Sequence, residues 1–246
     1  MKNFVFRFLA FLCTIILSAP VLNCGDKSET EKNYGKRRQA MVTEQIVSRG
    51  IRDGRVIEAM QRVPRHMFVP IEQRPYAYED SALPIGHGQT ISQPYIVALM
   101  TELAKVNPGD TVLEVGTGSG YQAALLSLLA NRVYSIEYIE ALGLEAKKRL
   151  EKLNYNNVEI RIGDGYEGWP EHQPFEAILV TASIDHIPKS LLEQLKPGGR
   201  LVIPLGGESE VQTLLVAEKN IQGIISRREV VPVRFVPFLG KRGKNP

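Results

Sequence analysis

The residues best placed to do chemistry begin with the run Glu114-Val-Gly-Thr-Gly-Ser-Gly120, which follows the β-rich stretch Thr111-Val-Leu-Glu-Val115 and opens an apolar helical one. Gly116, Gly118 and Gly120 carry no side chain, so the chain can turn sharply and bring its backbone close to a ligand. One reading is a nucleotide-like site; the other is a tight strand–helix turn with no ligand. The spacing is G-x-G-x-G, whereas a dinucleotide site usually reads G-x-G-x-x-G. Glu137 ends the next strand, beside the turn, where a carboxylate can accept from both ribose hydroxyls. Asp164, in Gly163-Asp-Gly165, follows the third strand and can receive an adenine amine, although Asp-Gly alone is a common turn pair. Glu114, just before the turn, can hold an ammonium. A nicotinamide enzyme would also place such groups at three consecutive strand ends. The turn spacing and Gly163-Asp-Gly165 favour S-adenosylmethionine.

These residues must be positioned by strands that alternate with helices. Strands are expected at Thr111 to Val115, Arg132 to Glu137, Val158 to Ile162, Phe175 to Thr181 and Arg200 to Pro204. Helices are expected at Ala123 to Leu129, Ala141 to Leu153 and Ser190 to Leu195. The alternation implies an α/β fold, a mostly parallel sheet with helices on both faces. Val211 to Glu218 and Glu229 to Phe238 are strand-like but too close for a helical crossover, so they form an antiparallel pair at the C-terminal edge. Upstream, a helix from Lys36 to Arg49 is stopped by Gly50, and Asp53 caps a second one, Gly54 to Arg62. Val63 to Pro70 is irregular, and Gly86 to Ser92 reads as a flexible loop. A third helix carries Pro94 in its first turn and a buried stripe of Ile96, Leu99, Met100 and Leu103. The expected organisation is an N-terminal helical, substrate-side subdomain over 36–106, a cofactor-binding core over 107–240 and a basic tail over 241–246.

The 246 residues are 43% hydrophobic and 23% charged, ordinary values for a globular chain. The net charge is +3, and the first 23 residues hold Lys2, Arg7 and no acid, which leaves +1 for the rest. A near-neutral body gives no argument for nucleic acid. Cys13 and Cys24 are the two cysteines, so the body has no disulfide, thiolate nucleophile or zinc-thiolate site. His66, His87, His172 and His186 show no metal-ligand spacing, and no metal is expected. The basic start, the apolar run Phe4 to Leu17 and Val21-Leu-Asn-Cys24 read as a lipoprotein-type signal peptide over 1–23. The apolar run is shorter than the roughly 20 residues of a spanning helix. Asn23 is an imperfect residue before the cleavage point. Residues 24–35 would be a flexible tether, and a lipidated Cys24 a membrane anchor. The other reading is translation from Met41.

From Met41 to Gly240 the chain resembles the protein-L-isoaspartate O-methyltransferase family. The most specific segments are Gln89-Thr-Ile-Ser-Gln-Pro-Tyr95 and Val63-Pro-Arg-His-Met-Phe-Val-Pro70. Leu113 to Ala123, Gly163-Asp-Gly165 with Trp169, Leu195 to Pro204 and Val233-Arg-Phe-Val-Pro237 also match. The resemblance implies a Rossmann-like class I methyltransferase with a seven-stranded sheet, and a monomer is expected. It also implies the activity: methyl transfer from S-adenosylmethionine to the free α-carboxylate of L-isoaspartyl residues in damaged proteins. The ester then closes to a succinimide, which starts repair. A carboxylate is ionised at neutral pH, so it needs no general base. Catalysis can come from holding it in line with the methyl group. The lack of a His–Asp or Ser–His pair agrees with that chemistry.

The family's active-site serine aligns with Ser92. Ser92 is also a good N-cap for the following helix, and the helix N-terminus itself suits a carboxylate. The resemblance further implies cofactor or substrate contacts at Gln89, Thr90 and Ile91, and cofactor contacts at Gly116, Thr117, Gly118, Gly120, Glu137, Asp164, Gly165 and Gln212. Trp169 and Phe235 read as packing residues. Two other function classes remain open from the sequence: a methyltransferase for another carboxylate or hydroxyl, and a non-catalytic relative. Family members are usually cytoplasmic. An exported form would need imported cofactor, because S-adenosylmethionine is made in the cytosol.

Overall fold

A computed structural model describes residues 24–207 and 210–240. The expected signal segment 1–23 and basic tail 241–246 lie outside the described residues. The N-terminal part begins with helix α1 (Cys24–Met41), continued by a π-helical segment, Val42–Val47. The helix thus starts inside the stretch expected as a tether, well before Lys36. Its end agrees with expectation, since Gly50 takes φ +100°. Tyr34 shows what holds the earlier turns: its ring stacks on His66 at 4.0 Å, and Arg38 donates to the Gln61 carbonyl. Helix α2 (Gly54–Arg62) is capped by Asp53, whose carboxylate accepts from the Arg55 amide.

The stretch expected as a flexible loop is a hairpin, β1 (Leu83–Gly86) and β2 (Gln89–Ile91). Its two turn residues, His87 and Gly88, have φ +53° and +69°. Both signs suit a two-residue primed turn, which matches the twist of the flanking strands. Helix α3 (Pro94–Ala104) follows.

The core alternates as expected: β3 (Thr111–Val115), α4 (Tyr121–Ser127), β4 (Arg132–Glu137), α5 (Glu140–Lys152), β5 (Val158–Ile162), β6 (Phe175–Val180) and α6 (Lys189–Gln194). Strand β7 (Leu195–Leu205) starts earlier than Arg200, and its pairing with β6 shifts register near Phe175. The sequence closes with β8 (Gln212–Lys219) and β9 (Ile225–Val233). The sheet has seven strands in the order β5-β4-β3-β6-β7-β8-β9. The first four pairings are parallel; β7–β8 and β8–β9 are antiparallel. This is the Rossmann-like sheet with an antiparallel C-terminal edge.

Strand alternation splits the core in two. Val112, Ala177, Leu179, Val202, Leu214 and Val216 pack under α2, α3, α4 and α5. Leu113, Val115, Ile178, Val180, Leu201 and Ile203 pack on the other face with Leu191 and Trp169. Burying each such side chain contributes about 1.5–3 kcal/mol. Burial on both faces makes these strands continuous apolar runs. The chain leaves β3 for β4 and β5 on one side, then returns to β6 on the other. That reversal opens a crevice at the carboxyl end of β3, where ligands of open α/β sheets bind.

Candidate active site

The glycine turn sits at that crevice. Gly116, Gly118 and Gly120 have φ +102°, +53° and +87°. A Cβ on Gly116 would lie 2.4 Å from the Thr181 hydroxyl, so this position has no room for a side chain. At Gly120 the limit is different: Leu150 of α5 lies 3.3 Å from where a Cβ would be. The turn is tied to β4 through the amides of Gly116 and Thr117, which donate to the Ile136 carbonyl at 2.8 and 3.2 Å.

Glu137 is buried beside the turn. Its two oxygens accept from the Gly118 amide at 2.7 Å and the Ile139 amide at 2.9 Å. A carboxylate offers about four lone-pair sites, so acceptor capacity remains for a diol. Glu137, Gly116, Gly118 and Gly165 line one cleft at the carboxyl edge of the sheet. Asp164 stands behind Gly165, and one of its oxygens accepts from the Tyr166 amide at 2.9 Å. Gly165 itself admits no side chain, because Val115 would be 2.3 Å from its Cβ.

Glu114 does not line this cleft. It is fully buried behind the turn, where its carboxyl accepts from Ser135, and Ser135 shares a 2.6 Å hydrogen bond with Thr117. Its other oxygen has no partner among the described residues. Burial pushes this carboxyl up to about 8; the nearby Glu137 charge adds to the rise and the Ser135 bond opposes it. A buried carboxyl with a spare oxygen is a site that a cation would ionise. The glycine cradle and the Glu137 acceptor fit a nucleoside cofactor, and Glu114 supports the turn from behind through Ser135 and Thr117.

Ser92 lies on the other side of the turn. The sequence made it a candidate N-cap of α3, but the cap residue is Gln93, whose side chain donates to Asp80 at 2.8 Å. Pro94 is the first helical residue, and its fixed φ sets the cap one residue later than the serine signal. Among the described residues the Ser92 hydroxyl makes no hydrogen bond. It lines an outer cleft with Asp80, Thr90, Arg234 and Phe235, and an inner space with Ile91, Thr117 and Gly118. Thr90 and Thr181 line all three spaces and so join the Ser92 side to the Glu137 side.

Thr181, just past β6, was not singled out by the sequence reading. Val115 pairs with Val180, which brings the next residues, Gly116 and Thr181, together. The Thr181 hydroxyl donates toward the Gly116 carbonyl at 2.6 Å. Tyr138 and the segment from Val236 to Leu239 also line the cofactor cleft. That segment was expected to continue the last strand. Instead it leaves β9 and crosses the carboxyl edge, held by Ser183 through bonds of 2.8 Å to Val236 and Phe238.

Gln89 lines the cofactor cleft, but Gln212 does not. Gln212 is 1% exposed and all its polar atoms serve backbone groups. It donates to Gly207 and Glu210 at 3.0 and 2.9 Å and accepts from the Phe235 amide at 2.9 Å. Sequence reading also passed over Arg65, which is fully buried and forms no ion pair among the described residues. It donates to the carbonyls of Ala77 and Ser81 at 2.8 and 3.4 Å, and so supports the loop that forms the outer cleft wall. Burial lowers it to about 10, still charged at neutral pH.

Known proteins share this sequence and architecture. Residues 36–243 match the family model of protein-L-isoaspartate(D-aspartate) O-methyltransferase. A protein-L-isoaspartate O-methyltransferase 2 of Polaromonas sp. is 62% identical over 190 residues, 77% of this chain and 90% of that one. One from Syntrophobacter fumaroxidans is 52% identical and covers 94% of this chain and 96% of its own. A solved protein-L-isoaspartate O-methyltransferase superposes with TM-score 0.75 at 32% identity, over 84% of this chain and 67% of that one. A Plasmodium falciparum structure of the same description, in complex with S-adenosyl-L-homocysteine, gives TM-score 0.71 at 26% identity, over 82% of this chain and 98% of that one. With the family model spanning both the glycine turn and the Ser92 segment, the chain belongs to the protein-L-isoaspartate(D-aspartate) O-methyltransferase family.

Proposed function

We propose that Ser92 orients the acceptor carboxylate and that the glycine turn, Glu137 and Asp164 hold the cofactor, with Glu114 supporting the turn from behind. The protein is an S-adenosylmethionine-dependent carboxyl methyltransferase acting on L-isoaspartyl residues of damaged proteins. S-adenosylmethionine supplies an electrophilic methyl group on a sulfonium. Glu137 is placed to accept from the ribose hydroxyls and Asp164 and Gly165 to bound the adenine, while Glu114, buried behind the turn, braces it through Ser135. Gln89, Thr90 and Ile91 form the strand between the two clefts.

The acceptor is ionised at neutral pH, so no residue has to remove a proton. What the chain must supply is orientation. The Ser92 hydroxyl is free to donate, and the first amides of α3, at Tyr95 and Ile96, have no partner within the helix. A carboxylate there meets donors and the positive end of the helix without meeting a proton. The observation that carries this reading is a serine hydroxyl with no partner among the described residues, in a cleft joined to the cofactor cleft by Thr90 and Thr181.

Ser92→Ala tests it. Turnover of an isoaspartyl peptide should fall by about 10-fold or more, the scale of one lost charge-assisted bond. Calorimetric affinity for S-adenosylhomocysteine should stay within about twofold, since the cofactor half is intact. Equal loss of both would make Ser92 a structural residue.

The compartment belongs to the same proposal. We infer an exported, lipidated form that begins at Cys24 and acts as a monomer. It is supported by the signal-like run and by the packing of residues that a start at Met41 would remove: Tyr34 on His66, and Arg38 on Tyr78 and Gln61. Mass spectrometry of the native N-terminus decides it; an unmodified chain starting at Met41 means a cytoplasmic enzyme.

A further inference from the structure

We infer that Arg234 recognises the substrate's carboxylate in the ground state, as a specificity residue distinct from Ser92. The inference rests on the isoaspartyl reading of the outer cleft. Arg234 stands just after β9 and lines that cleft with Thr90 and Ser92. Among the described residues its guanidinium makes no hydrogen bond, ion pair or ring contact. The other charged residue of the lining is Asp80. Asp80 is already engaged, by Arg49 at 2.9 Å and Gln93 at 2.8 Å. The charge left to act on a ligand in this cleft is therefore the positive one on Arg234.

The backbone around Arg234 is fixed while its side chain is not. Val233 is buried and paired with Gln212 at the end of the sheet. The Phe235 amide donates to the Gln212 side chain at 2.9 Å, and the Val236 carbonyl accepts from Ser183 at 2.8 Å. A cation held at both flanks and unspent at its tip faces the cleft where an anionic acceptor must enter. Contrast Arg65, whose guanidinium is buried and donates to the loop carbonyls of Ala77 and Ser81. Arg234 is exposed, so its guanidinium stays hydrated and attracts a carboxylate without stripping its nucleophilic character. This predicts an effect on capture rather than on the transfer step.

The test uses the full-length protein with Arg234→Gln and Arg234→Lys. For an isoaspartyl peptide at low salt, Arg234→Gln should raise KM about fivefold, the value of one exposed charge pair. The difference should shrink at high salt. Arg234→Lys should stay within about twofold of the unaltered protein, because it keeps the charge. Affinity for S-adenosylhomocysteine and kcat should not move. A peptide with a neutral α-carboxamide in place of the carboxylate, used as a competitive inhibitor, should bind both forms equally. Unchanged KM at low salt, a parallel loss of S-adenosylhomocysteine affinity, or equal weakening of the carboxamide peptide would each overturn the assignment. Preference of the unaltered protein for isoaspartyl over aspartyl peptide tests the underlying reading separately.

Discussion

Gly116→Ala separates a steric requirement from a merely convenient glycine. Two costs are visible. The position has φ +102°, and a Cβ would sit 2.4 Å from the Thr181 hydroxyl. Backbone strain of this kind costs about 1–3 kcal/mol. Turning the threonine away forfeits its hydrogen bond to Gly116, about 0.5–1.5 kcal/mol. The single variant should lose about 2–4 kcal/mol, a fall in Tm of roughly 5–15 °C for a chain of this size. Because Thr181 lines both clefts, its displacement should also weaken S-adenosylhomocysteine binding. The second variant removes the obstacle. In Gly116→Ala/Thr181→Ala the nearest remaining threonine-derived atom is Cβ at 3.7 Å, an ordinary contact. The double variant should therefore be less damaged than the two singles sum to, by about 1 kcal/mol, leaving the φ strain. Urea unfolding and calorimetry on the four proteins measure both quantities. Strict additivity, or a single variant with unchanged stability, would refute the steric argument.

Three further outcomes follow from buried polar groups. Glu114 is raised from 4.5 to about 8 in the fold, so the unfolded chain ionises it first. Stability is thus greatest at low pH and falls as pH rises through that window; Glu114→Gln should flatten this slope in urea unfolding between about pH 5 and pH 8, and equal slopes would sink the idea. Arg65→Met should cost about 1–3 kcal/mol net and speed amide exchange at Ser81 and Ala82. It should raise peptide KM with S-adenosylhomocysteine affinity unchanged; unaltered exchange would remove its supporting role. Gln212→Ala should destabilise by about 2–3 kcal/mol and raise peptide KM through the loosened Phe235 segment, whereas a direct cofactor contact would show as lost S-adenosylhomocysteine affinity.

The cofactor half was legible because it is local. The inner strands read as apolar runs, and the candidate residues stand at or just past the carboxyl ends of consecutive strands: the glycines after β3, Glu137 at the end of β4, Asp164 two residues past β5. Thr181 has the same placement after β6 but no distinctive type, so only the parallel register of Val115 with Val180 reveals it. The hairpin was missed because His87 takes a left-handed conformation usually given to glycine or asparagine. The Ser92 cap was misread by one residue, because Pro94 fixes where the helix starts. The crossing from Val236 to Leu239 was read as strand because apolar residues and a bend look alike without Ser183 to hold them.

The substrate half was legible mainly through family resemblance, and the topology explains why. Its walls come from the N-terminal hairpin and from the segment after the last strand, regions separated by most of the chain. No local period or spacing links Ser92 to Arg234. They line one cleft because Gln212 and Ser183 pin the C-terminal segment at the carboxyl edge of the sheet. Cofactor binding is therefore written in a strand-by-strand code that related folds share. With the proposed roles of Ser92 and Arg234, acceptor choice depends on long-range closure, so changes at the two ends of the chain should alter the acceptor while the glycine turn stays as it is.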